Sequence, residues 1–192
     1  MSIPLARAFV ILCAVALIVS GASAARAEWQ TYGAAAIGTM TEGSWHEAVH
    51  PNQLRFAGSH MVGLAGGAER PIGTSRCRDG AEGHLRAHAG RQDHLELSVP
   101  IGVRYVPERS KVVTSLAAGL GLSYASDIPQ VEIDRNGASQ RLFVHWIAEM
   151  EFGLPEPDLT SFIRLHHRSD GYGVFEVDSG STGIVIGIRR RF

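Results

Sequence analysis

Three segments of the chain alternate between apolar residues and residues that are polar, charged or small. In segment 94–105 the odd positions are apolar, whereas the even positions include Glu96. Segment 112–124 has one apolar face and one face of small residues. Segment 141–152 also has one apolar face, and its other face carries Glu149. Successive side chains of a β-strand point to opposite faces, so this period of two residues predicts three long strands.

The same pattern, followed along the whole chain, predicts eight strands. The first is weak because Ala34, Ala35 and Ala36 blur its alternation, and the third is weak because it is short. The predicted strands occupy residues 29–40, 53–65, 82–89, 94–105, 112–125, 140–153, 159–169 and 180–192.

The occurrence of three such strands in succession indicates which of their two faces points outward. A soluble β-sandwich could produce one strand with an apolar inner face and a polar outer face. Three in succession, with charges along the second face, fit a membrane barrel better, because the apolar face meets lipid and the polar face fills the lumen. Tyr105, Tyr124 and Phe152 fall at strand ends, where an interfacial aromatic girdle would place them. The predicted fold is therefore all-β, an eight-stranded antiparallel transmembrane β-barrel, with an exported soluble β-sandwich as the alternative.

The C-terminal segment carries an independent signal. Residues 182–192 alternate, Gly187 lies five residues before the end, and the chain stops at Phe192. This resembles the terminal-strand signal of bacterial outer-membrane barrels, although Arg190 stands where an aromatic residue would be usual. The resemblance implies a location in the bacterial outer membrane and recognition of this strand by the barrel-assembly machinery.

The N-terminal segment has the pattern of a secretory signal peptide. Arg7 supplies a positive charge, residues 9–19 form an apolar run, and small residues follow. Cleavage after Ala24 or after Ala27 fits the pattern, and Ala27 is preferred because a strand-like segment begins directly behind it. We therefore expect a signal peptide over residues 1–27 and an outer-membrane barrel over residues 28–192.

The lengths of the connections predict how the barrel is oriented. Residues 106–111 and 154–158 are short and contain proline, as periplasmic turns do. Residues 126–139 and 170–179 are longer and are typical of extracellular loops. This arrangement places both termini in the periplasm and makes residues 66–81 a periplasmic turn of unusual length.

Composition removes some functional classes and adds one expectation. The 192 residues carry 18 basic and 19 acidic side chains, a balance that argues against nucleic-acid binding. All basic residues but Lys111 are arginine, which suits buried, bidentate ion pairs, although codon bias would give the same skew. We expect ion pairs inside the barrel, formed by Arg104, Arg141, His145, Glu149, Glu151 and Arg164.

One stretch near the end of the seventh predicted strand could carry chemistry. His167 and Ser169 are two residues apart and share the apolar face of Ile163, so they stand together on the outer wall at the extracellular rim. A histidine within reach of a serine can act as the base for a nucleophile. A polar pair on a lipid-facing wall is costly unless it is used or is screened by headgroups.

A histidine in this role needs an acid that orients it. The following hairpin offers Glu176 and Asp178. A tight turn at Tyr172 would place Glu176 opposite Ser169. The same turn would place Asp178 opposite His167, whereas a longer loop would change both pairings.

The stretch that begins at His167 resembles the lipid A 3-O-deacylase family, outer-membrane barrels with a His-x-Ser-Asn motif near the extracellular end of a late strand. The resemblance implies a serine esterase that removes an ester-linked acyl chain from lipid A, with His167 as the base and Ser169 as the nucleophile. The family's asparagine, which helps to form the oxyanion hole, corresponds to Asp170 and lies beside Gly171. A carboxylate at this position would repel a developing oxyanion. The family's glutamate lies further downstream than either candidate acid.

A non-catalytic barrel is the alternative function. Polar residues at a barrel rim contact lipopolysaccharide phosphates and sugars without chemistry, so a structural or lipopolysaccharide-binding role remains open. His84 and His88 are four residues apart, but in a strand they fit lumen packing better than metal binding. We expect no cofactor and no metal, outer-membrane lipid and lipid A as partners, no nucleic acid, and a monomer.

Overall fold

Eight antiparallel strands form a closed barrel, in which each strand pairs with the next and the last pairs with the first. The computed structural model describes residues 28–110 and 112–192, and the predicted signal peptide lies outside these residues. The strands are β1 (Gln30–Thr41), β2 (Phe56–Pro71), β3 (Cys77–Gly90), β4 (His94–Tyr105), β5 (Val113–Ala125), β6 (Leu142–Gly153), β7 (Leu159–Ser169) and β8 (Gly180–Arg191).

Two short helices lie in the connections between the described strands. Helix α1 (Trp45–Ala48) follows β1, and helix α2 (Gln130–Asn136) precedes β6. Gly137 ends α2 with a φ of 79°, a left-handed conformation that glycine adopts without a Cβ penalty. Neither helix in the described part of the chain is long and apolar enough to cross a membrane.

The side chains of the strands point as the alternating pattern predicts. On β4, Leu97, Val99 and Ile101 are exposed on the outer surface, whereas Glu96 and Arg104 are buried in the lumen. A soluble β-sandwich would bury the first set and expose the second. The predicted eight-stranded, all-β barrel is therefore confirmed, and its interior is mostly polar.

Strands β2 and β3 are longer than the alternation predicts. Arg70 pairs with Asp79 across the two strands, and their side chains form an ion pair of 3.2 Å. Glu69 points into the lumen, where it binds an arginine of β4. The predicted long turn at 66–81 is wrong because pairing continues through these charged residues, which leaves only residues 72–76 as the turn.

A small apolar cluster occupies one side of the lumen. Ala34 and Ala36 of β1 pack against this cluster, and their small side chains leave room for it. This packing explains why the alternation of the first predicted strand is weak, since both faces of β1 meet apolar surroundings there. The cluster consists of Met40, Ala57, Met61, Val131, Phe162 and Val185.

Ion pairs fill much of the remaining lumen. Arg189 is completely buried and lies 2.7 Å from Glu149 and 3.1 Å from Glu82. Arg104 lies 3.0 Å from Glu149 and 2.8 Å from Glu151. Each of these arginines faces more than one carboxylate, so the buried charges compensate one another.

Arg141 and His145 do not belong to this network, contrary to the prediction. Among the described residues His145 forms no ion pair, and its Nδ1 donates to a backbone carbonyl instead. Arg141 lies just before β6 begins, where no strand pleat directs its side chain inward. Its guanidinium is half exposed and lies 3.6 Å from Asp127 in the same connection.

The two ends of the barrel differ as the connection lengths predict. The short β2–β3, β4–β5 and β6–β7 connections lie at the end that also holds residues 28 and 192. The opposite end carries α1, α2 and the loop 170–179. An even number of antiparallel strands requires this arrangement, because the first and last strands run in opposite directions.

Candidate functional site

His167 and Ser169 lie together on the outer wall where β7 ends. Both side chains are half-buried and point away from the lumen, whereas the neighbouring side chains of His166 and Arg168 are fully buried inside it. The pair stands at the end of the barrel that carries α1 and α2. The alternation of β7 is thus sufficient to bring the two side chains to one face.

The ring of His167 is held by neighbouring strands on both sides. Its Nδ1 forms a hydrogen bond of 2.9 Å with Oγ1 of Thr182, which lies directly opposite on β8. The centroid of its ring lies 4.9 Å from the ring centroid of Trp146, which lies opposite on β6. Trp45 of α1 packs edge-on against Trp146 at 5.8 Å. These contacts fix the imidazole and leave its Nε2 as the nitrogen that can serve another group.

Ser169 is in contact with the loop that follows it. Its Oγ accepts a hydrogen bond of 3.3 Å from the amide of Gly171. A Cβ on Gly171 would lie 2.4 Å from Cγ2 of Val144, and the φ of Gly171 is 71°, so only glycine brings this amide to the serine. Among the described residues, no hydrogen bond joins Ser169 to His167. Catalytic pairs often lie apart without substrate and approach when it binds.

The expected register of the β7–β8 hairpin is wrong. A tight turn would have placed Glu176 and Asp178 opposite the pair on β7. Instead β8 begins at Gly180, and Thr182 takes the position opposite His167. Both carboxylates lie exposed in the loop. A hydroxyl group therefore occupies the place where a triad would have its acid.

Asp170 explains why the loop is longer than expected. Its backbone amide donates to the carbonyl of Ser179 at 3.0 Å, and its carboxylate accepts from the amide of Gly173 at 2.6 Å. These bonds fold residues 170–179 into a loop closed at its base. The Asp170 carboxylate is used in this turn, so of the two predicted oxyanion residues only Gly171 directs an N–H group at the serine.

Helix α2 covers the lumen beside the rim. The carboxylate of Glu132 lies 2.8 Å from Nε of Arg168 and accepts hydrogen bonds from Ser139 and Ser181 at 2.5 and 2.7 Å. Burial raises the pKa of Glu132, and the positive charge of Arg168 opposes that rise. These contacts tie α2 to β7 and β8 and close the mouth of the barrel.

A cluster of histidines lies in the lumen below α2, and sequence reasoning did not find it. Oε2 of Glu96 lies 3.1 Å from Nε2 of His88 and 3.2 Å from Nε2 of His166. The ring centroids of His145 and His166 lie 4.7 Å apart. His94 stacks on His88 with the ring centroids 4.3 Å apart. Alternation predicts the inward direction of each side chain. Only the closure of the barrel brings these side chains to the same height along the barrel axis.

No family model matches the sequence, and no curated protein matches it. Among solved structures, the barrel is similar to the outer membrane enzyme PagL, with a TM-score of 0.56 and 14% identity over 83% of this chain and 98% of that chain. It is also similar to Neisserial surface protein A (NspA), with a TM-score of 0.51 and 14% identity over 85% of this chain and 97% of that chain. These similarities show the fold of outer-membrane barrels.

Proposed function

We propose that this protein is a bacterial outer-membrane barrel whose extracellular rim hydrolyses an ester-linked acyl chain of lipid A. The exposed apolar faces of its strands suit contact with acyl chains, and the rim pair stands near the level of the headgroups. Its C-terminal strand would be read by the barrel-assembly machinery, and a monomer would suffice, because the barrel closes within one chain.

One observation carries the chemical part of the proposal. Oγ1 of Thr182 lies 2.9 Å from Nδ1 of His167, and with this hydroxyl as the acceptor the proton is on Nδ1 and Nε2 keeps its lone pair. Ser169 stands two residues along the same face. This is the order of orienting group, base and nucleophile in serine hydrolases, with a neutral hydroxyl in place of the acid.

The reaction would proceed in two acyl-transfer steps. Nε2 of His167 takes the proton of Ser169 as the serine oxygen attacks the ester carbonyl. The amide of Gly171, which donates to Oγ of Ser169 in the structure, would then turn to the ester oxygen as the oxyanion forms. The imidazolium then protonates the departing alcohol, which leaves an acyl-serine. Water, deprotonated by the same imidazole, attacks the acyl-serine. The imidazolium then returns the proton to the oxygen of Ser169 as the fatty acid is released.

The test is the release of a 3-hydroxy fatty acid from purified lipid A by the protein folded in detergent. We expect Ser169→Ala and His167→Ala each to lower the rate by about 10³-fold or more. Ser161→Ala is the matched control, since Ser161 lies on the same face of β7 near its other end and should retain full activity. Heat-modifiable migration on gels confirms that each variant is folded.

A structural or lipopolysaccharide-binding barrel is the second candidate. It is favoured by Thr182, whose side chain is a hydroxyl and not a carboxylate, at the position opposite His167, and by the carboxylate of Asp170 beside the serine. In that case the folded protein binds lipopolysaccharide and releases no fatty acid. Hydrolysis that survives both rim substitutions would remove His167 and Ser169 from the mechanism.

A further inference from the structure

The histidine cluster in the lumen has ring nitrogens that neither ion pairs nor the rim chemistry use. We propose that Glu96, His145 and His166 bind a divalent transition metal ion, for which Zn²⁺ is the probe. Their ligand atoms come from three strands, β4, β6 and β7, and all lie within 4.8 Å of one another. The site lies inside the barrel and is separate from the outward pair on β7.

His145 is already oriented as a ligand. Its Nδ1 donates a hydrogen bond of 2.9 Å to the backbone carbonyl of His167, which fixes the proton on Nδ1 and leaves a lone pair on Nε2. That Nε2 is completely buried and has no hydrogen-bond partner among the described residues. A buried nitrogen without a partner is costly, and a metal ion would satisfy it. Metal-binding histidines are held by the same second hydrogen bond.

His166 presents the second nitrogen. Its Nε2 lies 3.2 Å from Oε2 of Glu96, but this contact lacks hydrogen-bond geometry, and its Nδ1 also has no partner within the described chain. Nitrogen and oxygen ligands at about 2.0–2.1 Å from a tetrahedral Zn²⁺ lie roughly 3.3 Å apart. The observed separation therefore suits two atoms that share one ion.

Contacts around Glu96 direct one carboxylate oxygen toward the histidines. Oε1 accepts a hydrogen bond of 2.8 Å from Ser123 and lies 3.7 Å from Arg86. Oε2 is left facing His166 and His88. Ligand carboxylates in metal sites are commonly held by hydrogen bonds of this kind.

A second group, formed by His88, His94 and the same glutamate, is the weaker candidate. The side-chain amide of Gln92 donates to Nδ1 of His88 at 3.1 Å, and its oxygen accepts from the amide of Val131. Nδ1 of His88 is then an acceptor, so its Nε2 carries the proton and donates to Glu96. His88 thus supports the glutamate and has no lone pair that faces the site.

Two imidazole nitrogens and one carboxylate oxygen suit Zn²⁺ and neighbouring divalent metals, with water in the remaining positions. The experiment folds the protein in detergent with a chelator, removes the chelator, and titrates the protein with Zn²⁺. We expect one ion per chain. His145→Asn and His166→Gln should each weaken binding by at least about 100-fold, because each removes a ligand.

His94→Asn is the matched control, since it removes a buried histidine of the cluster that lies outside the proposed site. It should change the dissociation constant by less than about threefold. A Co²⁺ absorption spectrum of the unmodified protein, with bands of a nitrogen and oxygen site, provides a test that needs no variant. Three results would overturn the proposal: no ion bound at micromolar Zn²⁺, unchanged binding by His145→Asn, or an equal loss in His94→Asn.

Discussion

Arg189 illustrates how a single residue of this barrel is stabilised. It is completely buried, yet its guanidinium lies within 3.3 Å of carboxylate oxygens of Glu82, Glu149 and Glu151. It also lies 4.7 Å from the centre of the Tyr32 ring. A planar group with five donors can serve several acceptors at once, which a lysine ammonium cannot do in the same geometry. The excess of arginine over lysine therefore has a structural use in this lumen.

Removing this guanidinium should destabilise the barrel strongly. Arg189→Met removes one of the cationic partners of the buried carboxylates of Glu82 and Glu149, and we expect a loss of about 3–5 kcal/mol in the free energy of unfolding. Urea unfolding of the folded protein in lipid vesicles measures this loss. Arg190→Met is the matched control, because Arg190 is exposed on the outer face, and its loss should change stability by less than about 1 kcal/mol. Equal losses would show that the lumen pairs contribute no specific stability.

At the scale of elements, the pairing of β4 with β5 depends on a close approach of two backbones. Pro100 lies opposite Gly121, and a Cβ on Gly121 would lie 2.0 Å from the carbonyl oxygen of Val99. Backbone atoms cannot move aside as a flexible side chain can. Glycine at this position is therefore a requirement of the strand pair.

Gly121→Val should prevent the β4–β5 pair from closing and lower the folded fraction severalfold. Gly83→Val is the matched control, since Gly83 lies within β3, and its nearest heavy atom to an added Cβ is the carbonyl oxygen of Gly66 at 3.9 Å. We expect normal folding in this control. The folded fraction is read from heat-modifiable migration after refolding into detergent. Normal folding of Gly121→Val would contradict the steric argument.

At the scale of the whole molecule, the apolar outer surface determines where the barrel is stable. Val99 lies midway along β4 and is exposed, and Tyr105 lies at the end of the same strand and is also exposed. In a bilayer the first position meets the acyl chains and the second meets the interface. A charge should then cost more at the first position than at the second.

We expect Val99→Arg to cost about 2–4 kcal/mol and Tyr105→Arg about 0–1 kcal/mol in the free energy of folding into phospholipid vesicles. The two substitutions introduce the same charge on the same strand face, so the difference reports depth in the bilayer. The measurement is reversible unfolding by guanidinium chloride in vesicles. Equal costs at both positions would contradict the membrane-spanning arrangement.

At the rim and in the histidine cluster, the sequence predicts the direction of each side chain but not which side chains lie opposite one another. Residues 141–152 and 159–169 alone predict that His145 points inward and His167 outward, because the pleat of a strand alternates its faces. A role for Glu176 and Asp178 requires a tight hairpin. That register is wrong, because the Asp170 carboxylate and the backbone close a longer loop.

The sequence by itself determined the strand number, the polar lumen and the wall on which each side chain stands, since these depend only on a local period of two. Only the tertiary structure decided which side chains meet. Thr182 came to lie opposite His167 through the length of one loop. Glu96, His145 and His166 came together because the closed barrel fixes the relative heights of strands far apart in the chain. Loop length and barrel closure are non-local properties, and no repeating pattern along the chain encodes them.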